Sequence, residues 1–507
     1  MKNQLIHQIK TQMNINKHTS FLTIRTIAIA IGLVASSAIV TSCKTMAPQA
    51  MPEIKQLPAQ YPGADTLTKS DTLQLSFDQF FKDKNLQAFI DSAMKNNTDL
   101  QIALQRIIKA EARLMARKGA LGPNVSAVIS GAADRYGDYT LNGIGNFDTN
   151  LSPNLSKDQK IPVSPTTDMF VGLRSDWEID IWGKLKSLRK AALAEALATR
   201  EAKQFVVTNL IAELTGKYYE LLSLDAELGI VQKNIRLQEQ ALDIVKAQKE
   251  GGRANELAVQ QFAAQLLNTR SIAYNLRQDR IATENEMNAI AGNYPQYIKR
   301  DTSLFEIPDS IPLFSGVPAA LLSNRPDIRQ LELELTAASE NVKAARKSFL
   351  PSLVISPYIA FNAFTPALLF RGGSGAYGLL GGITAPLLQQ KRLRADYTIA
   401  NAENRETVYR YQQTLLDAYS EVTTNMSAVK NHQLGYLLKK REVKQLQEAV
   451  STSHELYQSG YASYLEVITA QKNTLDAELE MVRKKKDIYT AAVNLYRALG
   501  GGWRSGQ

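Results

Sequence analysis

DMFVGLRSDWEIDI, residues 168–181, carries two faces in one stretch. The odd positions are Met169, Val171, Leu173, Ser175, Trp177, Ile179 and Ile181; the even ones are Asp168, Phe170, Gly172, Arg174, Asp176, Glu178 and Asp180. One face is apolar and the other mostly charged, at the period of two that a β-strand imposes. From Lys184 to Glu250 the chain then runs without proline and reads as one helical tract. At about 1.5 Å per residue that tract reaches on the order of 100 Å. A strand of membrane-crossing length joined to a very long helix is what the rest of the chain has to accommodate.

Upstream, Leu86 to Lys95 reads as a short helix, and Asn97 or Thr98 caps a second one that ends at Gly122-Pro123. Residues 124–134 alternate again, with Val125, Ala127, Ile129 and Ala133 on one face. Residues 135–166 are rich in Gly, Asn, Asp, Ser and Pro and read as a long loop closing a hairpin. Downstream, Leu228, Val231, Ile235, Gln238, Leu242 and Val245 keep the three-four spacing of a coiled-coil seam. Gly251-Gly252 break the tract, and a helix returns from Ala254 to about Ala291.

The second half repeats the first. Asp99 and Pro123 fall on Asp327 and Pro351 at an offset of 228 residues. After the loop the offset is 208: Gly183-Lys184-Leu185-Lys186 falls on Lys391-Arg392-Leu393-Arg394, and Gly252 on Gly460. Leu353, Ile355, Ile359 and Phe361 keep the parity of Val125 and Ile129, and Tyr377 to Leu387 reads as the partner strand. A duplicated strand–strand–helix–helix unit is the simplest account. The expected division is a signal peptide at 1–42 and an extended segment at 43–76. The first repeat at 77–292 holds hairpin 124–182 and helices 184–291. After a linker at 293–317, the second repeat at 318–507 holds helix 326–349, hairpin 352–388, helices 391–500 and a tail.

The formal charge of +10 includes Lys2, Lys10, Lys17 and Arg25 in a leader without acids; beyond residue 42 the balance is 55 basic to 49 acidic residues. No basic tract with interleaved aromatics stands out, which argues against nucleic acid as a partner. Outside the leader only His432 and His454 remain, a poor basis for a metal site or histidine catalysis. No nucleophile–histidine–acid set or glycine-rich phosphate loop is evident, so no enzyme and no cofactor is expected. The single cysteine, Cys43, closes Val40-Thr41-Ser42-Cys43 behind the 15-residue apolar run Thr26–Val40. That resembles a bacterial lipobox, and a covalent lipid on Cys43 is the expectation.

The fold class that follows is a mixed membrane α/β protein. Four strands of about ten residues cannot close a barrel, and an open edge in lipid leaves backbone groups unpaired. Three chains would give twelve strands, with long antiparallel coiled-coil helices forming a tunnel. Arg174, Asp176, Glu178 and Asp180 would then face the lumen and Val171, Leu173, Trp177 and Ile179 the lipid, with Trp177 and Trp182 in an interfacial girdle.

Several motifs resemble the TolC-like outer-membrane efflux channels, in the lipoprotein branch that serves resistance-nodulation-division pumps. They are the lipobox at Cys43, Asp180-Ile181-Trp182-Gly183-Lys184, Asn324-Arg325-Pro326-Asp327-Ile328, Phe349-Leu350-Pro351-Ser352, Lys391-Arg392-Leu393-Arg394-Ala395 and the run from Leu495 to Trp503. Gln389-Gln390 departs from the family's usual glycine pair. The resemblance implies a homotrimer in the outer membrane reaching into the periplasm, docked to a periplasmic adaptor and an inner-membrane transporter. It implies adaptor docking at the tips Gly252, Arg253, Gly460 and Tyr461. It also implies a periplasmic gate of Leu465 and Glu466, where three carboxylates around an axis would raise one another's pKa. The family's second gate acid falls on Thr469. Set against this, Glu466 could be a solvated helix residue and Leu465 packing. Arg325 could bind phosphate, cap a helix or pair with an acid, and Asp180 could line the pore or serve the strand end. The expected function is a passive efflux duct for small toxic compounds. Alternatives are type I secretion, metal efflux, or a coiled-coil envelope spacer. The ten methionines are scattered, which favours drugs over metals as cargo.

Overall fold

A computed structural model describes residues 50–55, 58, 83–301, 324–386 and 388–501. The signal segment, Cys43 and its lipobox, most of the extended segment, the linker from 302 and the tail beyond 501 lie outside the described residues. The order of elements is α1 (Lys84–Asn96), α2 (Thr98–Gly119), β1 (Asn124–Asp134), α3 (Leu141–Thr149), β2 (Thr166–Ile179), α4 (Lys184–Glu250), α5 (Glu256–Ile290), α6 (Pro326–Lys347), β3 (Ser352–Ala363), β4 (Gly375–Thr384), α7 (Gln390–Gln458) and α8 (Tyr464–Ala498). Two compact units emerge, and neither is one of the sequence halves: each draws on both.

The first unit, built on residues 115–191 and 338–404, holds a four-stranded antiparallel sheet in the order β1-β2-β3-β4. Every paired position joins odd to odd or even to even: Ile129 lies opposite Val171, Val171 opposite Phe361, Ile359 opposite Tyr377. The apolar parity of four strands is thereby summed on one face, which carries Val125, Ile129, Leu173, Ile359, Leu379 and Ile383, all exposed. The β2–β3 ladder lapses around Pro357, which has no N–H to donate; beside it the Ser356 hydroxyl donates to Asp176 at 2.8 Å. Both tryptophans at the strand ends are anchored, Trp177 to the Leu121 carbonyl at 3.0 Å and Trp182 to the Pro351 carbonyl at 2.6 Å.

Two expectations change here. The 135–166 segment is not all loop: it contains α3, started by Thr140, whose hydroxyl accepts from the Gly143 N–H at 3.1 Å. The last strand spans Gly375–Thr384 rather than 377–387, stopping short of Pro386.

The second unit is helical and has a conventional core. Leu86, Leu214, Tyr218, Leu221 and Met287 are fully shielded. Burying a leucine of this kind stabilises the fold by roughly 1.5–3 kcal/mol. Tyr219 stacks on Tyr489 with ring centroids 4.2 Å apart. Asp83 caps α1 and accepts from the Tyr218 hydroxyl at 2.7 Å; burial, then that bond, push the phenol pKa up. The coiled-coil seam of α4 splits into two apolar clusters, Leu228 and Val231 with Leu276 and Leu475, and Leu242 and Val245 with Phe262 and Val467. Gln238 lies between them along the seam, 2% exposed.

Candidate channel wall and helix tips

The even face of the sheet is a bonded polar surface. Asn362 donates to Asp168 at 2.7 Å, and Glu178 pairs with Lys184 at 2.6 Å. The Arg174 guanidinium lies 4.2 Å from the centre of the Phe170 ring. Not every residue of this face is polar: Phe170 is buried, packed between Arg174 and Tyr358, Ala360 is buried as well, and Leu380 is exposed. Arg174, Asp176 and Glu178 thus share one face, away from the exposed aliphatic row. Asp180 does not belong with them. The strand ends at Ile179, and the Asp180 carboxylate accepts from the Leu185 N–H at 3.0 Å and the Lys186 N–H at 2.8 Å. It caps α4, because the first N–H groups of a 67-residue helix otherwise have no partner.

The helix tips are built alike. Gly252 has φ +73° and Gly460 φ +78°, backbone that glycine adopts without a Cβ clash. Arg253 N–H donates to Gln248 O at 2.8 Å, and Tyr461 N–H to Leu456 O at 2.9 Å, closing the carbonyls of each helix end. The Tyr457 hydroxyl donates to Gln248 at 2.7 Å and ties the two hairpins together. Arg253, Tyr461 and Leu465 are exposed, Leu465 by 55%, so it is not core packing within this chain.

Glu466 is exposed yet occupied. Ser463 caps α8, and Glu466 turns back to accept from the Ser463 N–H at 2.9 Å and from its hydroxyl. The Ser463 hydroxyl holds the Glu466 carboxyl below the usual glutamate range. Within one chain that is the opposite direction to the one expected of facing carboxylates. Capping boxes of this S-x-x-E form are legible in sequence, and this one was the missed signal. The first tip differs: Asn255 caps α5, and Glu256 pairs with Lys249 across the turn, which lowers its pKa.

Arg325 resolves to ion pairing. It is 7% exposed, holds Asp327 and Glu421 at 2.8 Å each and donates to the Ala498 carbonyl at 3.0 Å. Asn97 makes the corresponding contact in the first half, donating to the Ile290 carbonyl at 2.7 Å. His454 is not simply solvated. Its Nε2 lies 3.1 Å from the Gln471 amide nitrogen, beside a cavity of about 410 Å³ that Gln238 also lines.

This is the fold of outer-membrane channels. With the MtrE outer membrane channel of Neisseria gonorrhoeae in its open state the chain shares a TM-score of 0.76 at 21% identity, covering 90% of this chain and 98% of that one. A model of the outer membrane efflux protein family matches residues 89–293 and 317–501, and the chain belongs to that family. It is 29% identical to the pyoverdine export outer membrane protein OpmQ of Pseudomonas putida, over 84% of this chain and 87% of that one. It is 27% identical to the cation efflux system protein CusC of Escherichia coli, over 84% and 88% of the two chains. The protein is an outer-membrane efflux channel, from a family of channel proteins rather than enzymes.

Proposed function

We propose that three copies of this chain close a twelve-stranded barrel and a helical tunnel, forming the outer-membrane duct of a tripartite pump. The carrying observation is the open four-stranded sheet whose exposed aliphatic side chains, Leu380 apart, lie on one face and whose bonded polar groups lie on the other. Its outer strands β1 and β4 have unpaired edges that lipid cannot satisfy, and neighbouring copies supply the partners. Arg174, Asp176 and Glu178 line the lumen. The recurrence of Asn97–Ile290 and Arg325–Ala498 at the offsets 228 and 208 supports a duplicated unit. Equal lengths of α2 and α6, 22 residues each, and of α5 and α8, 35 each, support it too.

The chain performs no catalysis, and energy comes from an inner-membrane transporter coupled through a periplasmic adaptor at the tips Gly252, Arg253, Gly460 and Tyr461. Cys43 carries the lipid that anchors the mature amino end. The cargo is small toxic compounds; the name of CusC favours cations as a second reading. Deletion of the gene with a susceptibility panel of drugs, dyes, bile salts and metals tests both. Sensitisation to organic compounds is expected, sensitisation to metals alone selects the second reading, and no change in any arm overturns efflux. A trimer-sized mass in detergent and a heat-modifiable gel band are expected; a monomer overturns the shared barrel.

A further inference from the structure

Where the sheet ends, the two longest helices begin with charge of the wrong sign. Residues 184–190, KLKSLRK, put four cations and no acid at the start of α4; residues 391–394, KRLR, put three cations at the start of α7. A helix N-terminus already carries partial positive charge, and acids are the residues that stabilise it. Part of this charge is offset on the same unit, where Glu340 interacts with Lys190. Glu178 neutralises Lys184, and Asp180 is spent on the N–H groups of α4. Lys186, Lys391, Arg392 and Arg394 are exposed and form no salt bridge among the described residues; Arg392 donates only to the neutral Gln389 side chain. Asp396 is the only acid in residues 389–400.

The same place is where the apolar face stops. β2 ends at Ile179, β3 starts at Ser352 and β4 ends at Thr384. A hollow of about 440 Å³ opens there, lined by Lys184, Lys347 and Arg392 and also by Glu178, Asp180 and Asp396. Trp182 is 48% exposed beside it.

We propose that Lys186, Lys391, Arg392 and Arg394 form a belt that docks the phosphates of anionic phospholipids in the leaflet at the strand ends. Phosphates sit just outside the hydrocarbon, the level at which an aliphatic strand face gives way to an interfacial tryptophan. The four cations lie at the level where that aliphatic face stops, which makes a lipid headgroup, rather than a free anion, the fitting occupant. A lysine or arginine at that level contributes roughly fivefold to partition onto an anionic surface. This inference rests on the proposal that the sheet's apolar face meets lipid.

The test uses the full chain, delipidated in detergent and then titrated with phosphatidylglycerol, with phosphatidylcholine or with inorganic phosphate while retained lipid is counted by native mass spectrometry. The wild type is expected to hold phosphatidylglycerol at least about tenfold more tightly than phosphatidylcholine. The quadruple variant Lys186→Gln, Lys391→Gln, Arg392→Gln, Arg394→Gln is expected to lose that preference. A control that removes four charges elsewhere, Lys430→Gln, Lys440→Gln, Arg441→Gln and Lys444→Gln, is expected to keep it. Equal preference in both variants, no preference in the wild type, or displacement of the lipid by millimolar inorganic phosphate overturns the belt. Reconstitution into vesicles separates the two claims. A wild type that inserts without headgroup preference sinks only the belt, whereas one that fails to insert sinks the lipid-facing sheet.

Discussion

The helical unit and the sheet treat the same residue types in opposite ways. In the helical unit Leu214, Tyr218 and Met287 are shielded completely, and Arg300 is closed in by Asp225 and Glu284. In the sheet Ile129 is 83% exposed and Leu379 73%, while Asp176 and Asn362 are the groups that find partners. A domain surrounded by water cannot keep a continuous aliphatic face of this size on its surface without a partner. The helical unit is stabilised by excluding water from its interior; the sheet uses polar bonding on one face and leaves the aliphatic side chains of the other exposed. One chain thus carries two hydrophobic patterns, and each is right only for its own surroundings.

The contrast can be broken at each end. The largest effect is expected from Arg325→Ala, which leaves Asp327 in the helical unit without its cation and Glu421 with Arg497 alone. Removing one partner of a buried pair costs about 3–5 kcal/mol. Denaturant unfolding followed by helical circular dichroism measures this, and a loss below about 1 kcal/mol would mean that water screens the pair. Next is Ile359→Arg on the exposed sheet face. At the bilayer midplane such a change costs about 2–4 kcal/mol. The heat-modifiable folded fraction in lipid should fall, with the helical signal in detergent nearly unchanged. If folding in lipid is unaffected, the aliphatic face does not meet hydrocarbon. A smaller effect belongs to the tips. Gly460→Ala forces a Cβ onto left-handed backbone, a cost of roughly 1–2 kcal/mol. Gly251→Ala, next to a tip but without positive φ, should be close to neutral in the same melt.

The two regions also differ in how far they can be read from sequence. The faces of the sheet are legible in the sequence, because a period of two marks each strand; its register is given by the structure. Val125, Val171, Ile355 and Ile359 share a parity, and the ladder pairs like with like. What the alternation hid is local. Phe170 sits on the polar face because Arg174 and Tyr358 cover it, and Tyr358 lies 188 residues further along the chain. Helix α3 hid in a Gly- and Asn-rich stretch, where composition says loop and only the Thr140 cap says otherwise. The sequence leaves Asp180 both a pore-lining and a strand-end role, and its bonds to the Leu185 and Lys186 N–H groups make it a cap. Along the helices the seam was legible and its polar member was not. Gln238 keeps the spacing, yet among the described residues neither of its side-chain amide atoms has a hydrogen-bond partner. Spacing alone does not report which neighbours a buried amide meets.

Glu466 is where the two ways of reading a charge meet, and its effect is the smallest expected. As a cap it stabilises the first turn of α8 through Ser463; as a gate it would act by charge across a trimer axis. Glutamine separates the roles, since it also serves as the third residue of a capping box while carrying no charge. The pH dependence has a definite sign. Ser463 lowers the folded pKa below the ordinary 4.5, so the cap's contribution is complete above that value and fades as pH falls through the lower folded pKa. Planar-bilayer conductance of Glu466→Gln and Glu466→Ala decides between them. A gate predicts that both variants leak more than the wild type at neutral pH, by similar amounts, because both remove the charge. A cap alone predicts that Glu466→Gln conducts like the wild type, with only Glu466→Ala loosening the tip. Wild-type conductance in both variants would assign the closed end of the tunnel to Leu465 or to another ring.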